Sequence, residues 1–402
     1  MDDLRVLFID QDVYFQQSLN RVVISKKLRI DLRQSSSWKQ AKKILESFSC
    51  DVIVVNDTLC DIQCEQLLVS IRDMYPMTLR ILVSSDASED KVPNLLIAAH
   101  QVLTKPTSPL SILEAIQTSS RLRSLLMNEQ LRTVVHKMTY IPVVPKVYTE
   151  LTDELRKDNS SNHVLAKIIS QDISLTAGIL KLVNTPFFGL SRRVDDMQQA
   201  VSILGVNLIR GLVLSTRVFT ILDSKSYPGF DVEKLWGHCM DVARCIRAVK
   251  RFSNAGMRAT ENAFLAGLLH DIGKVVLAAG CPDVYIHVLQ NSQTKNIPLA
   301  VAEERLLGVT HAEVGAYLLG LWGFSEPIVS AIAQHHGFML GSSFTRLASV
   351  LHVVDVEIHN RYVRSNGYAP HLVDTRMLEI IGGDEVFNEW KSVIHAELDS
   401  IS

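Results

Sequence analysis

Polar side chains interrupt an otherwise apolar segment, ENAFLAGLLHDIGKVVLAAG, at residues 261–280. His270, Asp271 and Lys274 lie in its middle. Burial of an imidazole, a carboxylate and an ammonium group without partners costs several kcal/mol, so a core helix carries them only where they pair with one another, with a metal or with a ligand. The segment therefore predicts a polar site inside a helical region.

Further imidazoles and carboxylates lie in other apolar stretches of the same half of the chain. They are His238 in LWGHCM, His311 in GVTHAEVGAYLL, His335 and His336 in AIAQHHGF, and His352 and Asp355 in VLHVVDVE. A lone histidine on an apolar helix is usually a core residue with satisfied hydrogen bonds, but helical bundles assemble metal sites from side chains on several helices. Imidazoles and carboxylates without thiolates suit Fe, Mn, Ni or Zn, and such a metal could activate water or hold a phosphate oxygen.

The first 120 residues alternate β-branched runs with amphipathic helical patterns. The runs predict strands at residues 5–9, 28–33, 51–55, 80–84 and 100–104. This alternation predicts an α/β fold with a doubly wound five-stranded parallel sheet, whose functional groups gather at the carboxyl ends of the strands. Those ends carry Asp10, Asp12, Asn56, Asp57, Ser84 and Lys105.

These strand ends resemble those of the receiver domain of two-component response regulators, over residues 4–120. In that flavodoxin-like family an acidic pair after the first strand holds Mg²⁺, an aspartate after the third strand takes the phosphoryl group, and a Ser or Thr and a Lys report it. Asp10, Ser84 and Lys105 match this pattern, and Lys105-Pro106 stands where the family has a cis peptide bond.

The sequence departs from the receiver pattern at the residues that carry its chemistry. Asn56 falls at the phosphoacceptor position, five residues after Asp51, and an amide is neither a nucleophile nor a charged Mg²⁺ ligand. Gln11 replaces the second acid, although Asp12 could compensate in part. Asp57 could serve as the acceptor only after a one-residue slip, which turns a strand side chain to the other face.

Two further family residues are missing, since Cys60 replaces the loop proline and Val102 replaces the aromatic switch residue. We therefore expect a pseudo-receiver that takes no phosphate and binds Mg²⁺ weakly at most. Its fold would then serve dimerisation or docking.

From residue 140 onward the strand patterns give way to helical periodicity, which predicts an all-α second half. The preceding segment predicts a connecting helix that either pairs in a homodimer or packs on its own second domain. We predict a receiver-like domain at residues 1–120, the connecting helix at 121–138, a helical domain at 139–345 and a C-terminal helical extension at 346–402. A homodimer could form through the receiver-like domain or the connecting helix.

The order of His, His-Asp and Asp resembles the HD superfamily of metal-dependent phosphohydrolases. The resemblance implies a set of primary metal ligands, namely His238, His270, Asp271 and Asp355. It also places Lys274 near a bound phosphate. His311, His335 and His336 resemble the additional ligands of HD-GYP phosphodiesterases, which hold two or more metals, but the GYP loop is replaced by GFMLGSSFTRLAS.

Longer motifs resemble the HDOD domain, the HD-related output domain of bacterial signalling proteins. They are IPVVPKV, IISQDISLTAGILKLVNTPFFG, AVSILG, AGLLHDIGK, EERLLGVTHAEVGAYLLGLWGF and AIAQHH. The resemblance implies an HD-type helical fold over residues 139–345. It also implies a regulatory role, because the family has no established common enzymatic activity.

Composition and charge argue against several classes of partner. The net charge is −2, from 41 basic and 43 acidic residues, which gives no general attraction to nucleic acid or to an anionic membrane. The six cysteines form no cluster of the kind that binds structural zinc. No apolar run of about 18 residues lacks charge, and MDDLRVLFID has no signal-peptide pattern. We expect a cytoplasmic protein without a membrane span or a nucleic-acid partner.

Three hypotheses for function remain open on the sequence. The first is a bacterial intracellular signal-transduction regulator, not an enzyme, whose pseudo-receiver and HDOD domain bind other signalling proteins. The alternative is a metal-dependent phosphohydrolase or phosphodiesterase acting on a nucleotide or cyclic dinucleotide, with Lys274 as the catalytic group that balances phosphate charge. The third is nucleotide binding at the same site without turnover.

Overall fold

The computed structural model describes residues 3–59, 62–75, 78–85, 99–121, 128–138, 146–155, 161–185, 188, 193–219, 230–253, 255–337, 344–366 and 371–400. Cys60, most of the IPVVPKV motif, residues 122–127 of the predicted connecting helix and most of GFMLGSS lie outside the described residues. The chain divides into a first unit of residues 1–143 with 320–326 and a second unit of residues 144–319 with 327–402.

Five parallel strands form the sheet of the first unit. They are β1 (Leu4–Ile9), β2 (Ile30–Ser35), β3 (Val52–Asn56), β4 (Leu79–Ser84) and β5 (Gln101–Thr104). Their order is β2-β1-β3-β4-β5 with every neighbouring pair parallel, which is the flavodoxin-like order. The predicted sheet is confirmed, although β2 begins at Ile30 and not at the predicted residue 28.

Helices pack on this sheet because its central strands are apolar on both faces. They are α1 (Val13–Ser25), α2 (Trp38–Leu45), α3 (Cys64–Met74) and α4 (Pro109–Arg121). Successive strand side chains point to opposite faces, and Val6, Leu7, Val52 and Ile53 all have 0% exposure. Leu7 and Ile53 share a core with Trp38 of α2. This core fixes the position of the strand ends, where the polar residues of the first unit lie.

The rest of the described chain is helical. Its helices are α5 (Glu129–Lys137), α6 (Lys146–Leu155), α7 (Asn162–Ser170), α8 (Ile173–Val183), α9 (Met197–Leu204), α10 (Val206–Phe219), α11 (Val232–Phe252), α12 (Met257–Leu269), α13 (Ile272–Gly280), α14 (Pro282–Lys295), α15 (Leu299–Leu307), α16 (His311–Leu321), α17 (Glu326–Gln334), α18 (Arg346–Asn366), α19 (Thr375–Ile381) and α20 (Gly383–Asp399). Among its described residues the second unit has no strand, so the predicted all-α domain is confirmed.

Helices α12 and α13 form the apolar centre of the second unit. By length and composition Met257–Gly280 could cross a membrane, but 94% of its most apolar window is buried inside the protein, as in the core helix of a globular domain. Asp271 interrupts the helix with φ −100° and ψ 7°. The break places His270 and Asp271 in the interior, both at 0% exposure.

Two glycines let neighbouring helices approach this centre closely. A Cβ atom on Gly267 of α12 would lie 2.8 Å from the Cα atom of Ala243 in α11. A Cβ atom on Gly273 of α13 would lie 1.9 Å from the backbone oxygen of His311, the first residue of α16. Contacts this short are essentially never seen for a real Cβ atom. Because glycine has no side chain, α11 and α16 can approach the centre closely and carry their polar residues to it.

We predict that Gly273→Ala destabilises the second unit by at least ~1–3 kcal/mol, the range for an overpacked core. The clash is with backbone atoms, which cannot rotate away. Gly237→Ala in α11 is the matched control, because nothing lies within 4 Å of its added Cβ atom and alanine is the better helix former. Urea unfolding compares the two variants with the natural chain. Equal midpoints would contradict the close approach of α13 and α16.

Candidate functional site

The polar side chains of the second unit converge on one buried centre. They come from several elements: His238 from α11, His270 and Asp271 from the break between α12 and α13, His311 from α16, His335 and His336 from the turn after α17, and Asp355 from α18. Their ligand atoms form two groups, each with all its atoms within 4.8 Å of one another. The His238 group is His238, His270 and Asp355; the His311 group is Asp271, His311, His335 and His336. The structure thus brings together every predicted metal ligand.

Asp355 holds the His238 group together. Its Oδ1 atom lies 2.9 Å from Nε2 of His238 and 3.6 Å from Nε2 of His270. The Oδ2 atom of Asp271 approaches the same two nitrogens, at 3.9 Å from His238 and 3.3 Å from His270. Both imidazoles therefore point their Nε2 atoms at carboxylate oxygens.

Asp271 also belongs to the His311 group through its other oxygen. Oδ1 lies 3.1 Å from Nε2 of His311 and 4.0 Å from Nε2 of His335. The Nε2 atoms of His336 and His311 are 2.9 Å apart. One carboxylate therefore serves both groups, with one oxygen toward each.

Backbone and side-chain acceptors fix which ring nitrogen faces the centre. Nδ1 of His270 donates to the backbone oxygen of Gly267 at 2.8 Å, and Nδ1 of His335 donates to that of Ile332 at 2.6 Å. Nδ1 of His311 donates to Glu303 at 2.6 Å. In the neutral imidazole the opposite nitrogen is then a lone-pair donor, as a metal ligand must be.

The centre contains buried polar atoms that lack a hydrogen-bond partner. Among the described residues they include Nε2 of His270, Nε2 of His335 and Oδ1 of Asp271. A buried polar atom without a partner destabilises a protein. A cation bound at this centre would satisfy these two nitrogens and this oxygen through their lone pairs. The set of imidazole nitrogens and carboxylate oxygens, without thiolates, fits Fe, Mn, Ni or Zn. The residues therefore fit a divalent metal.

The charges of the centre are strongly coupled. Burial opposes a charge on His270, but Asp271 and Asp355 outweigh it and raise its pKa to about 10. Burial also opposes ionisation of Asp271, yet His270 and Lys274 hold the pKa of this carboxyl well below its usual range. Burial and the neighbouring imidazoles hold the pKa of His335 well below the usual value. The carboxylates of Asp271 and Asp355 are thus ionised and His335 is neutral, as metal ligation needs, whereas His270 carries a proton that a bound metal would displace.

Lys274, for which the sequence predicts a position near a phosphate, pairs with Asp271, a predicted metal ligand. Its Nζ atom donates to Oδ2 of Asp271 at 2.6 Å, and its side chain is 17% exposed. Burial opposes its charge, but Asp271 outweighs it and raises the pKa of Lys274. The ammonium group therefore compensates the charge of Asp271 in this arrangement.

Two residues that the sequence reasoning missed support His311. Glu303 of α15 has 0% exposure and accepts hydrogen bonds from the backbone N–H of His311 at 2.8 Å and from its Nδ1. The other oxygen of Glu303 accepts the hydroxyl of Tyr285 at 2.8 Å. A carboxylate behind a metal-ligating histidine orients the ring and raises its basicity. The one available signal was an acidic pair, Glu303-Glu304, shortly before His311.

In the first unit, the carboxylate that faces Lys105 is Asp57. Nζ of Lys105 lies 2.5 Å from Oδ1 of Asp57. Oδ2 of Asp57 accepts hydrogen bonds from the hydroxyl of Ser84 at 3.0 Å and from the backbone N–H of Ser85 at 2.7 Å. Because β3 ends at Asn56, Asp57 lies after the strand. The alternation of strand side chains therefore does not decide which way its carboxylate points. Asp57, and not Asn56 as the family spacing predicts, is therefore the residue that Ser84 and Lys105 contact, and the peptide bond from Lys105 to Pro106 is cis as expected.

Asn56 occupies the acidic edge of the same site. Its Nδ2 atom donates to Oδ2 of Asp10 at 2.8 Å, and Oδ1 of Asp10 accepts the backbone N–H of Asp12 at 2.9 Å. Asp12 caps α1 by accepting the backbone N–H groups of Tyr14 and Phe15. Asp10 and Asp12 are thus both engaged by the chain itself.

Comparison with known proteins identifies the family of the helical domain. Residues 141–338 match the family model of the HDOD domain. An HDOD domain protein with unknown function from Geobacter sulfurreducens is 25% identical, with a TM-score of 0.53 over 67% of this chain and 93% of that one. A protein from Marinobacter aquaeolei VT8 shares the fold over 85% of this chain and 83% of its own, with a TM-score of 0.54 and 18% identity. An uncharacterized protein of Treponema pallidum (strain Nichols) is 25% identical over 248 residues, 62% of this chain but only 46% of that relative.

We predict that Glu303→Gln weakens metal binding about 10–100-fold, the usual loss when such a supporting carboxylate is altered. The amide cannot supply the negative charge that stabilises His311 as a ligand. Glu304→Gln is the matched control, because Glu304 is the exposed neighbour on the same helix. Competition against a chelator measures both affinities. A loss of the same size in the two variants would contradict a specific role for Glu303.

We predict that Asp57→Asn destabilises the first unit by about 1 kcal/mol near neutral pH, because Lys105 and the Ser84 hydroxyl lose an ionised acceptor. Burial opposes ionisation of Asp57, but Lys105 and the serine donors outweigh it and lower its pKa. A lowered pKa contributes stability above the usual aspartate range, and this contribution disappears as the pH falls through the lowered value.

Urea unfolding at about pH 7 and about pH 3 checks this expectation, since the difference from the natural chain should shrink in acid. Asp73→Asn is the control, because Asp73 pairs with Arg72 at 61% exposure and should contribute little. A deficit that does not change with pH would show that the charge of Asp57 is not its cause.

Proposed function

Residues 141–338 are an HDOD domain that follows a unit with the flavodoxin-like sheet, and from this premise we propose that the protein is a bacterial cytoplasmic signal-transduction regulator that acts by binding other proteins. In this proposal the ligand groups hold a divalent metal that keeps the HDOD domain in its binding shape. The receiver-like unit serves docking or dimerisation and does not depend on phosphorylation.

The observation that carries this proposal is the closure of the ligand set. Structural metal sites are completed by protein ligands, whereas catalytic sites keep an open position for water or substrate. Asp271 completes the His238 group as a fourth protein ligand and also belongs to the His311 group. His270, Asp271 and His335 each have 0% exposure. Enclosure of this kind supports a metal that stabilises the domain.

The receiver-like site supports the same proposal. Ser84 and Lys105, which would report a phosphoryl group in the family that this unit resembles, already contact the Asp57 carboxylate. Asn56 donates its amide to Asp10, so a carboxylate that would help to hold Mg²⁺ in that family is engaged by the chain itself. An internal carboxylate that satisfies these donors leaves phosphorylation unnecessary for their arrangement.

The second candidate function is metal-dependent phosphohydrolysis, and one observation favours it. The side chains of His238 and Lys274 are each 17% exposed, so the centre has a partly open edge that carries a cation. A bound metal would supply positive charge to a phosphodiester at this edge. His270 and Asp271 would hold the metal, and Lys274 would contribute a second positive charge.

Elemental analysis of protein purified without chelator and without oxygen tests the proposal. We expect at least one Fe, Mn, Ni or Zn ion per chain, its loss in Asp271→Ala, and no hydrolysis of bis(p-nitrophenyl) phosphate by the loaded protein. Asp283→Ala is the control, because Asp283 is exposed on α14. Hydrolysis that disappears with Asp271→Ala would support the phosphohydrolase instead. Absence of any ion, even after titration, would overturn the metal in both candidates.

A further inference from the structure

His335 and His336 lie on the turn that follows α17 and not on a helix. Helix α17 ends at Gln334, and residues 335–337, the ligand turn, carry His335, His336 and Gly337, the last with φ +76°. A turn is held less firmly than a helix by its own hydrogen bonds, so ligands on it need support from other parts of the chain.

His352 links this turn to the C-terminal segment. Its Nδ1 atom donates to the backbone oxygen of His335 at 2.7 Å, and its Nε2 atom accepts the backbone N–H of Asp374 at 2.9 Å. The residue is 4% exposed. Because both ring nitrogens are used, His352 acts as a connector between the ligand turn and Asp374.

Arg376 makes a second connection to the same turn. Its Nη2 atom donates to the backbone oxygen of Gly337 at 3.2 Å and to Oδ2 of Asp374 at 2.6 Å. The guanidinium group also lies over the ring of Phe344, 4.8 Å from its centroid. A Cβ atom on Gly337 would lie 2.8 Å from Oδ2 of Asp374, so the segment approaches the turn as closely as glycine permits.

The segment is itself fastened to the helix that carries Asp355. The side chain of Asn360 in α18 donates to the backbone oxygen of His371 and accepts its backbone N–H, both at 2.8 Å. The ring of His371 stands 6.0 Å from the ring of His336 in a T-shaped arrangement. The same segment therefore contacts α18 through His371 and the ligand turn through His371 and Arg376.

We propose that residues 371–376, which we term the C-terminal brace, position His335 and His336 for metal binding. His352 and Arg376 are the positioning residues that transmit this support, and neither is a metal ligand. The brace lies beyond residue 338, where the family match ends. The proposal rests on the metal centre of the proposed function and assigns a role to a part of the C-terminal extension.

The test compares Arg376→Ala with Arg361→Ala in the full chain. Arg361 is the matched control, because it also forms an exposed arginine–aspartate pair in the C-terminal region, with Asp399. The side chain of Arg376 is 57% exposed, so its replacement should leave the fold intact. Co²⁺ is the probe, and its affinity, its visible absorption spectrum and the unfolding midpoint are measured for each variant.

We expect Arg376→Ala to weaken Co²⁺ binding about 10-fold and to change the spectrum, with unfolding midpoints equal to those of Arg361→Ala. Deuterium uptake by residues 332–337, measured without metal, should also increase in Arg376→Ala alone. Unchanged affinity, spectrum and uptake would overturn the brace while leaving the metal centre standing. A natural chain that binds no Co²⁺ would overturn the metal centre itself and with it the role of the brace.

Discussion

The interior of the second unit depends on how the charge of one buried carboxylate, that of Asp271, is compensated. It has 0% exposure, and Lys274, His270 and His311 approach its two oxygens. An ionised carboxylate in a protein interior is destabilising by several kcal/mol unless charges and hydrogen bonds compensate it. The ammonium group of Lys274 and the neighbouring imidazoles provide this compensation. The helix break at Asp271 and the close approach of α16 at Gly273 bring these groups together.

The carboxylates of Asp57 and Asp271 differ in whether the chain supplies all their hydrogen-bond donors. Asp57 accepts hydrogen bonds from Lys105, the Ser84 hydroxyl and the Ser85 backbone N–H. Donors of the chain itself therefore satisfy its carboxylate. Oδ1 of Asp271 faces imidazole nitrogens and has no hydrogen-bond partner. The first arrangement is complete as a protein structure, and the second would be completed by a cation of the kind proposed above. The same chemical group therefore has all its partners within the chain at Asp57, whereas at Asp271 it leaves an oxygen available to a cation.

The sequence allowed the sheet, the helical half and the set of converging imidazoles and carboxylates to be predicted, because hydrophobic periodicity and the positions of unusual polar residues are local properties. It could not distinguish Glu303 from Glu304, since only the packing of α15 with α14 places Glu303 beside Tyr285. The family spacing pointed to Asn56 as the partner of Lys105, whereas the turn after β3 brings Asp57 there. Contacts between remote segments, such as Arg376 with Gly337, leave no pattern in either segment.

The end of the family match at residue 338 has a consequence for how such chains can be divided or recombined. Asp355 and His352 follow that boundary, as does the brace that holds His335 and His336. An evolutionary exchange at the boundary would join ligands from one ancestor to a carboxylate and a support from another. The module that is inherited intact should therefore extend at least through α19, beyond the end of the family match.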